Sequence, residues 1–141
     1  MKRLAGFTLI EVVAVMFVVT ALAIVAVPVG RNVLTQYRER EFMETLVEEW
    51  EMLKMRARAE PSDGNMYVNG KEREVKFVTQ GKTKSLIFPV SLRFDGEARV
   101  GCNPNGKIKK AGTLNFSNDD KKFAWVITFQ LGWGRAILTK K

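Results

Sequence analysis

The chain of 141 residues contains no histidine and only one cysteine, Cys102. The absence of histidine excludes the side chain best suited to acid–base catalysis near neutral pH, and with it the commonest nitrogen ligand of metal ions. A single cysteine excludes a disulfide within the chain. We interpret Cys102 as a small buried or half-buried side chain, and a disulfide to another chain is the alternative.

Acidic residues are fewer than basic ones, 15 against 23, and they form no pattern typical of a catalytic centre. Four aspartates lie in polar, turn-like stretches, where an aspartate usually shapes the turn. They are Asp63, Asp95, Asp119 and Asp120. The adjacent pair at 119–120 supplies too few oxygen ligands for calcium by itself. We therefore expect no enzymatic activity, no metal site and no cofactor.

One long apolar run is present near the start of the sequence. Residues 7–29 read FTLIEVVAVMFVVTALAIVAVPV and contain a single formal charge, that of Glu11. A helix of this length covers about 30 Å, which is enough to cross a membrane. A carboxylate at membrane depth is costly unless it is paired or lies near an interface. The run predicts a membrane helix over residues 7–30 and makes Glu11 a candidate functional residue.

Two common kinds of N-terminal segment fit this run less well. A secretory signal peptide has an apolar region of about 7–15 residues followed by a small-residue cleavage site. The run here is longer, and the sequence VPVGRNVL at its end offers no such cleavage site. A generic signal anchor fits the hydrophobicity and the basic start MKR, but it leaves Glu11 without a role.

The segment MKRLAG followed by FTLIE resembles the class III leader of type IV pilins and pseudopilins. That leader is short and basic and ends in glycine, and the mature chain begins with phenylalanine and has glutamate at its fifth position. The resemblance implies that residues 1–6 are a leader peptide, that a prepilin peptidase cuts between Gly6 and Phe7, and that the new amine of Phe7 is methylated. The implied partners are this peptidase and the major and other minor pseudopilins.

Cleavage after Gly6 would place a cationic amine on Phe7, about 6 Å along the helix axis from Glu11. When such helices assemble with a stagger, the amine of one subunit can meet Glu11 of its neighbour. Each charge is far less costly paired than alone in a low dielectric. We therefore expect Glu11 to set the register of subunit assembly, and a pairing within one chain is the alternative.

The flanks of the apolar run predict its orientation and a weak point. Lys2 and Arg3 precede it and favour a cytoplasmic N-terminus. Everything after Gly30 would then lie outside the cell membrane, and at the cell surface after pilus assembly. Pro28 donates no backbone hydrogen bond and clashes with the carbonyl of Ile24, so we expect a helix kink at Pro28 and Gly30.

Residues 31–60 continue the helical pattern, because apolar residues recur there at helical intervals. This predicts an amphipathic helix that ends at Pro61, in the turn-like EPSDG. The recurring apolar residues are Tyr37, Phe42, Leu46, Trp50, Leu53 and Ala57, and the stripe from Phe42 to Ala57 is expected in the core. The expected solvent face carries Glu39, Glu44, Glu48, Glu51 and Arg58.

Residues 61–141 have the alternation and turn residues of an antiparallel β domain. Asn69-Gly70 predicts one hairpin. Pro89 predicts a bend or an edge. The segments LNFS and FAWVITFQ predict a second hairpin, and RAILTKK predicts a last short strand. The expected fold class is α+β, a long N-terminal helix packed on a small antiparallel β-sheet as in pilins. Expected inward positions are Phe116, Phe123, Trp125, Ile127, Phe129 and Ile137.

The C-terminal half is similar to the end of Gram-positive competence pseudopilins, in AGTLNF, a charged turn and FAWVITFQLGWGRAILTK. The resemblance implies a minor subunit of a competence type IV pilus, needed for pilus assembly and for uptake of transforming DNA. A minor pseudopilin of a general secretion system is the alternative.

The excess of basic residues falls in the β domain, with 15 Lys or Arg against 7 Asp or Glu from Pro61 onward. A basic surface attracts DNA phosphates in a salt-dependent, sequence-independent way. Wall polymers, lipid headgroups or plain solvent are equally compatible with it. A DNA-binding module displayed on the pilus is therefore a further hypothesis. Its candidate contacts are Lys107, Lys109, Lys110, Lys121, Lys122 and Arg135.

Overall fold

The computed structural model describes residues 8–118, 123–131 and 134–140, without the side chains of residues 25–32 and 123–124. The predicted leader, the processing positions Gly6 and Phe7, and the candidate contacts Lys121 and Lys122 lie outside these ranges. Within them the chain forms one α-helix and seven β-strands arranged in two small antiparallel sheets. The predicted α+β class is confirmed.

The elements follow one another along the chain in the order helix, then strands. The helix α1 spans Leu9–Ala59. The strands are β1 (Gly64–Asn69), β2 (Glu74–Thr79), β3 (Lys82–Ile87), β4 (Glu97–Cys102), β5 (Gly112–Ser117), β6 (Phe123–Phe129) and β7 (Ala136–Lys140).

Helix α1 contributes to two separate units, the first ending at Tyr37 and the second beginning at Arg38. In the first unit the described apolar side chains are exposed on every face, because the five consecutive residues from Val15 to Val19 are all exposed and cover more than one turn. Phe17 is 76% exposed. In the part of the helix whose side chains the structure describes, no stretch is both long and apolar enough to cross a membrane.

The positions at which a kink is predicted, Pro28 and Gly30, both fall inside α1. The helix therefore does not end there, and a bend at this point stays a prediction. At its other end α1 stops at Ala59, two residues before the predicted terminator Pro61.

The second unit confirms most of the predicted helical stripe. Phe42, Leu46, Trp50, Leu53 and Ala57 are buried, together with Met43, which the sequence pattern did not single out. Tyr37 is 64% exposed, because the five-residue step to Phe42 takes it off the buried face. The prediction that Glu39 lies on the solvent face was wrong. Glu39 is 6% exposed, because it lies one turn before Met43 on that face.

The β domain contains two sheets where a single sheet was expected. The strand order is β3-β2-β1-β4 in the first and β5-β6-β7 in the second. Gly96, at φ 82°, turns the chain so that β4 returns along β1, and Gly106, at φ 70°, turns it away again before β5. A backbone bridge between Arg93 and Ser117 links the segment between β3 and β4 to β5 in the second sheet.

Strand β3 lies at an edge of the first sheet. All its residues except Leu86 are exposed, and Lys82 and Lys84 alternate with Thr83 along it. Pro89 follows the strand and accepts a hydrogen bond from Leu92 N at 3.0 Å, so the predicted bend is confirmed. The residues VSLRF beyond it form a turn and not a strand.

Two hairpin turns show how local chemistry sets the register of the first sheet. The hairpin predicted at Asn69-Gly70 exists, but its loop has four residues, 70–73. Asn69 Oδ1 accepts hydrogen bonds from Lys71 N at 2.9 Å and Glu72 N at 3.1 Å and so shapes the turn. A second hairpin that was not predicted turns at Gln80-Gly81, with φ values of 44° and 72°, as a type I′ turn requires.

The core of the second unit is one cluster formed by α1 and both sheets. Trp50 contacts Phe129 edge to face at a ring distance of 5.3 Å. Of the inward positions predicted in the second sheet, Phe116, Trp125, Ile127 and Phe129 are buried, and the side chain of Phe123 is outside the described part. Ile137 is 39% exposed, so that prediction was wrong. Its neighbours Ala136 and Leu138 stand opposite Phe129 and Ile127 and take the inward face instead.

Replacing Gly81 by alanine should destabilise the β domain by about 1–2 kcal/mol, because a Cβ disfavours the left-handed conformation that the turn needs. No atom lies within 4 Å of that Cβ, so the effect would be conformational and not steric. Gly112→Ala is the matched control, since its Cβ also meets open space and its φ is not positive. Urea unfolding followed by tryptophan fluorescence measures both, and equal midpoints would contradict the prediction.

Candidate functional site

The start of α1 is closed by a reciprocal pair of hydrogen bonds between Thr8 and Glu11. Thr8 N donates to Glu11 Oε2 at 3.0 Å, and Thr8 Oγ1 donates to the same oxygen at 3.3 Å. In return Glu11 N donates to Thr8 Oγ1 at 3.4 Å. This is a capping box, with Thr8 at the N-cap and Glu11 at the third helical position. The signature T-x-x-E is present at residues 8–11 of the sequence and indicates this cap, although the charge of Glu11 alone does not.

The capping box explains how a carboxylate is tolerated at the start of an apolar helix. Thr8 supplies the Glu11 carboxylate with hydrogen-bond donors that water would otherwise provide. The negative charge of Glu11 also lies at the positive end of the helix dipole. The residues that follow it in the first unit are almost entirely apolar and exposed. The second partner expected for Glu11, the amine of Phe7, lies outside the described part of the chain.

A second candidate site lies around the C-terminal end of α1. Arg58 Nε donates to Asn105 O at 3.0 Å and so binds the loop 103–110 to the helix. Gly106 is pressed against the Arg58 guanidinium, and a Cβ there would overlap Nε. Asn103 Oδ1 accepts from Lys107 N at 2.9 Å and fixes the turn of this loop.

The turn before β7 lies beside this loop, and a buried lysine holds it there. Lys54 Nζ donates to Gly134 O and pairs with Glu51 at 2.7 Å, although the Lys54 side chain is only 7% exposed. A Cβ on Gly134 would stand 3.0 Å from Gly106 O, so the turn and the loop are in contact. Lys54 is therefore a structural cation and not part of the basic surface.

The structure brings some of the predicted basic residues together. Lys107, Lys109 and Lys110 are exposed on the loop 103–110, and Arg135 is exposed on the neighbouring turn. Lys109 Nζ pairs with Asp63 at 2.5 Å, so much of its charge is compensated. Lys121 and Lys122 lie outside the described ranges. The basic end of the domain consists of Arg58, Lys107, Lys110 and Arg135, and Arg58 was not among the predicted contacts because its role depends on the fold.

Cys102 is fully buried beside Gly64, which agrees with its interpretation as a core residue. Burial raises the pKa of the Cys102 thiol above its ordinary value, and a hydrogen bond from the Gly64 backbone offsets this in part. The thiol is therefore protonated and poorly nucleophilic at neutral pH. In the ranges that the structure describes, no group of three or more acidic or cysteine side chains is placed to hold a metal ion.

No family model, curated protein or solved structure matches this chain.

We expect the Thr8→Val variant to loosen the start of α1, because it removes the hydroxyl from the capping box. The expected loss is about 1 kcal/mol, which corresponds to roughly fivefold faster hydrogen exchange at the amides of the first turn. Thr8→Ser is the control, since it retains the hydroxyl. Exchange measured by NMR on the full chain in micelles tests this, and equal rates in all three chains would refute the capping role.

Cys102 should resist alkylation by iodoacetamide in the folded protein at pH 8 and react fully in 6 M guanidinium. Folding raises the pKa of the Cys102 thiol and so disfavours its thiolate form. The stability that the buried thiol contributes is therefore complete below the pKa of this thiol in the unfolded chain, and it is lost as the pH rises from there through the folded pKa. Mass spectrometry gives the modified fraction. Rapid labelling of native protein would show that the thiol is accessible.

Proposed function

We propose that this chain is a minor pseudopilin, a membrane-anchored subunit of a competence type IV pilus that is needed for pilus assembly and for uptake of transforming DNA. The observation that carries the proposal is the first part of α1. Its described apolar side chains are exposed on every face, and it begins with a capped carboxylate at Glu11. Such a surface needs an apolar environment, which a bilayer and then a bundle of pseudopilin helices would provide.

In this proposal residues 7–30 cross the cell membrane once, with the N-terminus in the cytoplasm and the β domain outside. Prepilin peptidase removes residues 1–6, and the methylated amine of Phe7 pairs with Glu11 of the adjacent subunit. The capping box gives Glu11 a partner within its own chain before assembly, so the carboxylate is not left bare in the membrane. Pairing with the neighbour then replaces or adds to these bonds.

The division of α1 supports a pilin-like architecture. Its second half buries a stripe of apolar side chains against two antiparallel sheets, while its first half buries nothing within the described chain. One helix with two such different surfaces is suited to join a folded domain to an apolar assembly. The chain needs no catalytic group for this role, since the only chemistry is the processing performed on it.

The mass of the N-terminal peptide tests the proposal directly. From cells that contain their prepilin peptidase, we expect a peptide that begins at Phe7 and is heavier by one methyl group. From cells without the peptidase, the leader MKRLAG should remain attached. An intact leader in both strains would refute the pseudopilin assignment and leave an ordinary signal-anchored domain.

The basic end of the domain favours a second function, electrostatic contact with DNA. Its cations lie on adjoining segments near the C-terminal end of α1, and Lys107, Lys110 and Arg135 are exposed. A subunit with such a surface would contact DNA during uptake and would also take part in pilus assembly. General secretion is the alternative context for the same assembly role, and nothing in the geometry of the chain favours it.

The variant Lys107→Glu/Arg135→Glu should weaken binding of duplex DNA by the full chain and lower the slope of log affinity against log salt by about 2, one for each lost phosphate contact. Arg38→Glu/Arg40→Glu changes the net charge equally at the other end of the domain and serves as the control. Fluorescence anisotropy at several salt concentrations measures both slopes. Equal slopes in the two variants would show that binding follows net charge alone.

A further inference from the structure

The basic end of the domain is built from two segments that are far apart in sequence, the loop 103–110 and the turn at Gly134-Arg135. Each segment is fastened to α1 by a different cation of the helix. Lys54 Nζ donates to Gly134 O, and Arg58 Nε donates to Asn105 O at 3.0 Å. Because residues 54 and 58 are four positions apart, both cations lie on the same side of the helix, one turn from each other.

The two fastened segments also touch each other. A Cβ on Gly134 would stand 3.0 Å from Gly106 O, and a Cβ on Gly106 would overlap Arg58 Nε. Gly106 and Gly134 have positive φ values of 70° and 65°, a conformation that residues with side chains rarely adopt. The contacts form a closed ring that begins at Lys54, passes through both glycines and returns to the helix at Arg58. A change at Lys54 therefore reaches both segments.

The backbone of the loop 103–110 is hydrogen-bonded around Asn103. Asn103 Oδ1 accepts from Asn105 N at 3.1 Å and from Lys107 N at 2.9 Å. Asn103 N donates to Lys107 O at 2.9 Å, and Gly106 N donates to Asn103 O at 2.8 Å. Lys107 thus belongs to a preformed turn, and the bond from Arg58 sets where that turn lies on the helix.

The position of Arg135 depends on Lys54 in a similar way. The carbonyl of Arg135 accepts from Gln130 N at 3.2 Å, and the residue before it, Gly134, is buried and bonded to Lys54. The Lys54 side chain is only 7% exposed and pairs with Glu51 at 2.7 Å, so it does not face a ligand in solvent. Any effect of Lys54 on binding must act through the position of the segments that it holds.

Preorganisation matters for a surface that binds phosphates. A segment that becomes ordered only on binding loses conformational entropy at that moment, and the loss lowers the affinity. Here the exposed cations Lys107, Lys110 and Arg135 belong to two segments that are already in contact with each other and with the helix. They can therefore meet a ligand as one surface.

We propose that Lys54 and Arg58 are positioning residues for DNA, because they join the loop 103–110 and the turn at Gly134 into one preformed surface. This surface receives the phosphates of a duplex without further ordering of its backbone. The proposal rests on the electrostatic DNA contact given above as the second function. It assigns part of the affinity to a buried lysine that touches no phosphate, whereas the exposed Arg58 also adds its own charge.

The salt dependence of binding separates a positioning residue from a phosphate contact. Lys54→Met removes the donor to Gly134 O, so the affinity of the full chain in neutral micelles for duplex DNA should fall about tenfold. The slope of log affinity against log salt should not change, because no phosphate contact is lost. Lys107→Gln should instead lower the slope by about 1. Fluorescence anisotropy at several salt concentrations measures both quantities.

Lys71→Met is the control for net charge, because it removes one positive charge from an exposed position in the β1–β2 loop. The start of β1, Gly64, stands opposite Cys102, which precedes the loop 103–110, and the end of β1, Asn69, stands opposite Glu97. Lys71 therefore lies beyond the end of the strand that is away from the basic end. This variant should leave affinity and slope close to those of the unmodified chain.

An uncharged variant tests the same geometry. Gly134→Ala brings a Cβ to 3.0 Å from Gly106 O at a φ of 65°, so it should separate the turn from the loop and weaken binding at an unchanged slope. Gly112→Ala, whose Cβ meets open space, is its control. Lys54→Arg keeps a cationic donor and should retain most of the affinity. In Lys54→Met, ¹⁵N relaxation should show increased ps–ns motion at the amides of Gly134 and Arg135.

The possible results distinguish this inference from the DNA contact on which it rests. If the unmodified chain shows no salt-dependent binding, the second function fails and this inference with it. If the unmodified chain binds and both Lys54→Met and Gly134→Ala bind equally well, the DNA contact stands and the positioning role is overturned. A lower slope in Lys54→Met would identify Lys54 as a phosphate contact and would also overturn it. Should urea unfolding show that Lys54→Met does not fold, Gly134→Ala and its control decide.

Discussion

The packing of the helical stripe around Leu46, Trp50 and Leu53 against both sheets is the contact on which the rest of the domain depends. These three side chains are almost completely buried, and full burial of each contributes about 1.5–3 kcal/mol. An antiparallel sheet must bury its apolar face against another layer, and each of these two sheets uses the helix as that layer. The loop 103–110 and the turn at Gly134 are both positioned through contacts with this helix.

Much of this arrangement could be predicted because it depends on short-range patterns. Apolar spacing located the buried stripe from Phe42 to Ala57, and alternation located the strands of the second hairpin. Errors arose where a tertiary contact outweighed the pattern. Glu39 is buried because its face of α1 is covered, and Ile137 is exposed because pairing with β6 places Ala136 and Leu138 inward. The separation into two sheets depends on how two glycine turns direct β4, which no single segment encodes.

The candidate sites differ in the same way. Glu11 could be found from sequence because a lone charge in an apolar run is conspicuous, and Thr8 could have been found from the capping signature three residues before it. Arg58 could not, since it meets the loop 103–110 only when α1 and that loop are in place.

The edge strand β3 has a further consequence for contacts between copies of the domain. An unpaired strand edge is a template onto which a second copy can add a strand. Here the edge carries two lysines, and Lys84 is drawn toward Glu49 of the helix at 2.5 Å. Lys82 in turn lies 3.9 Å from Glu60, so a strand that added to this edge would meet a row of paired charges. Charged side chains on an edge strand oppose the addition of a further strand, and this edge of the first sheet is protected in that way.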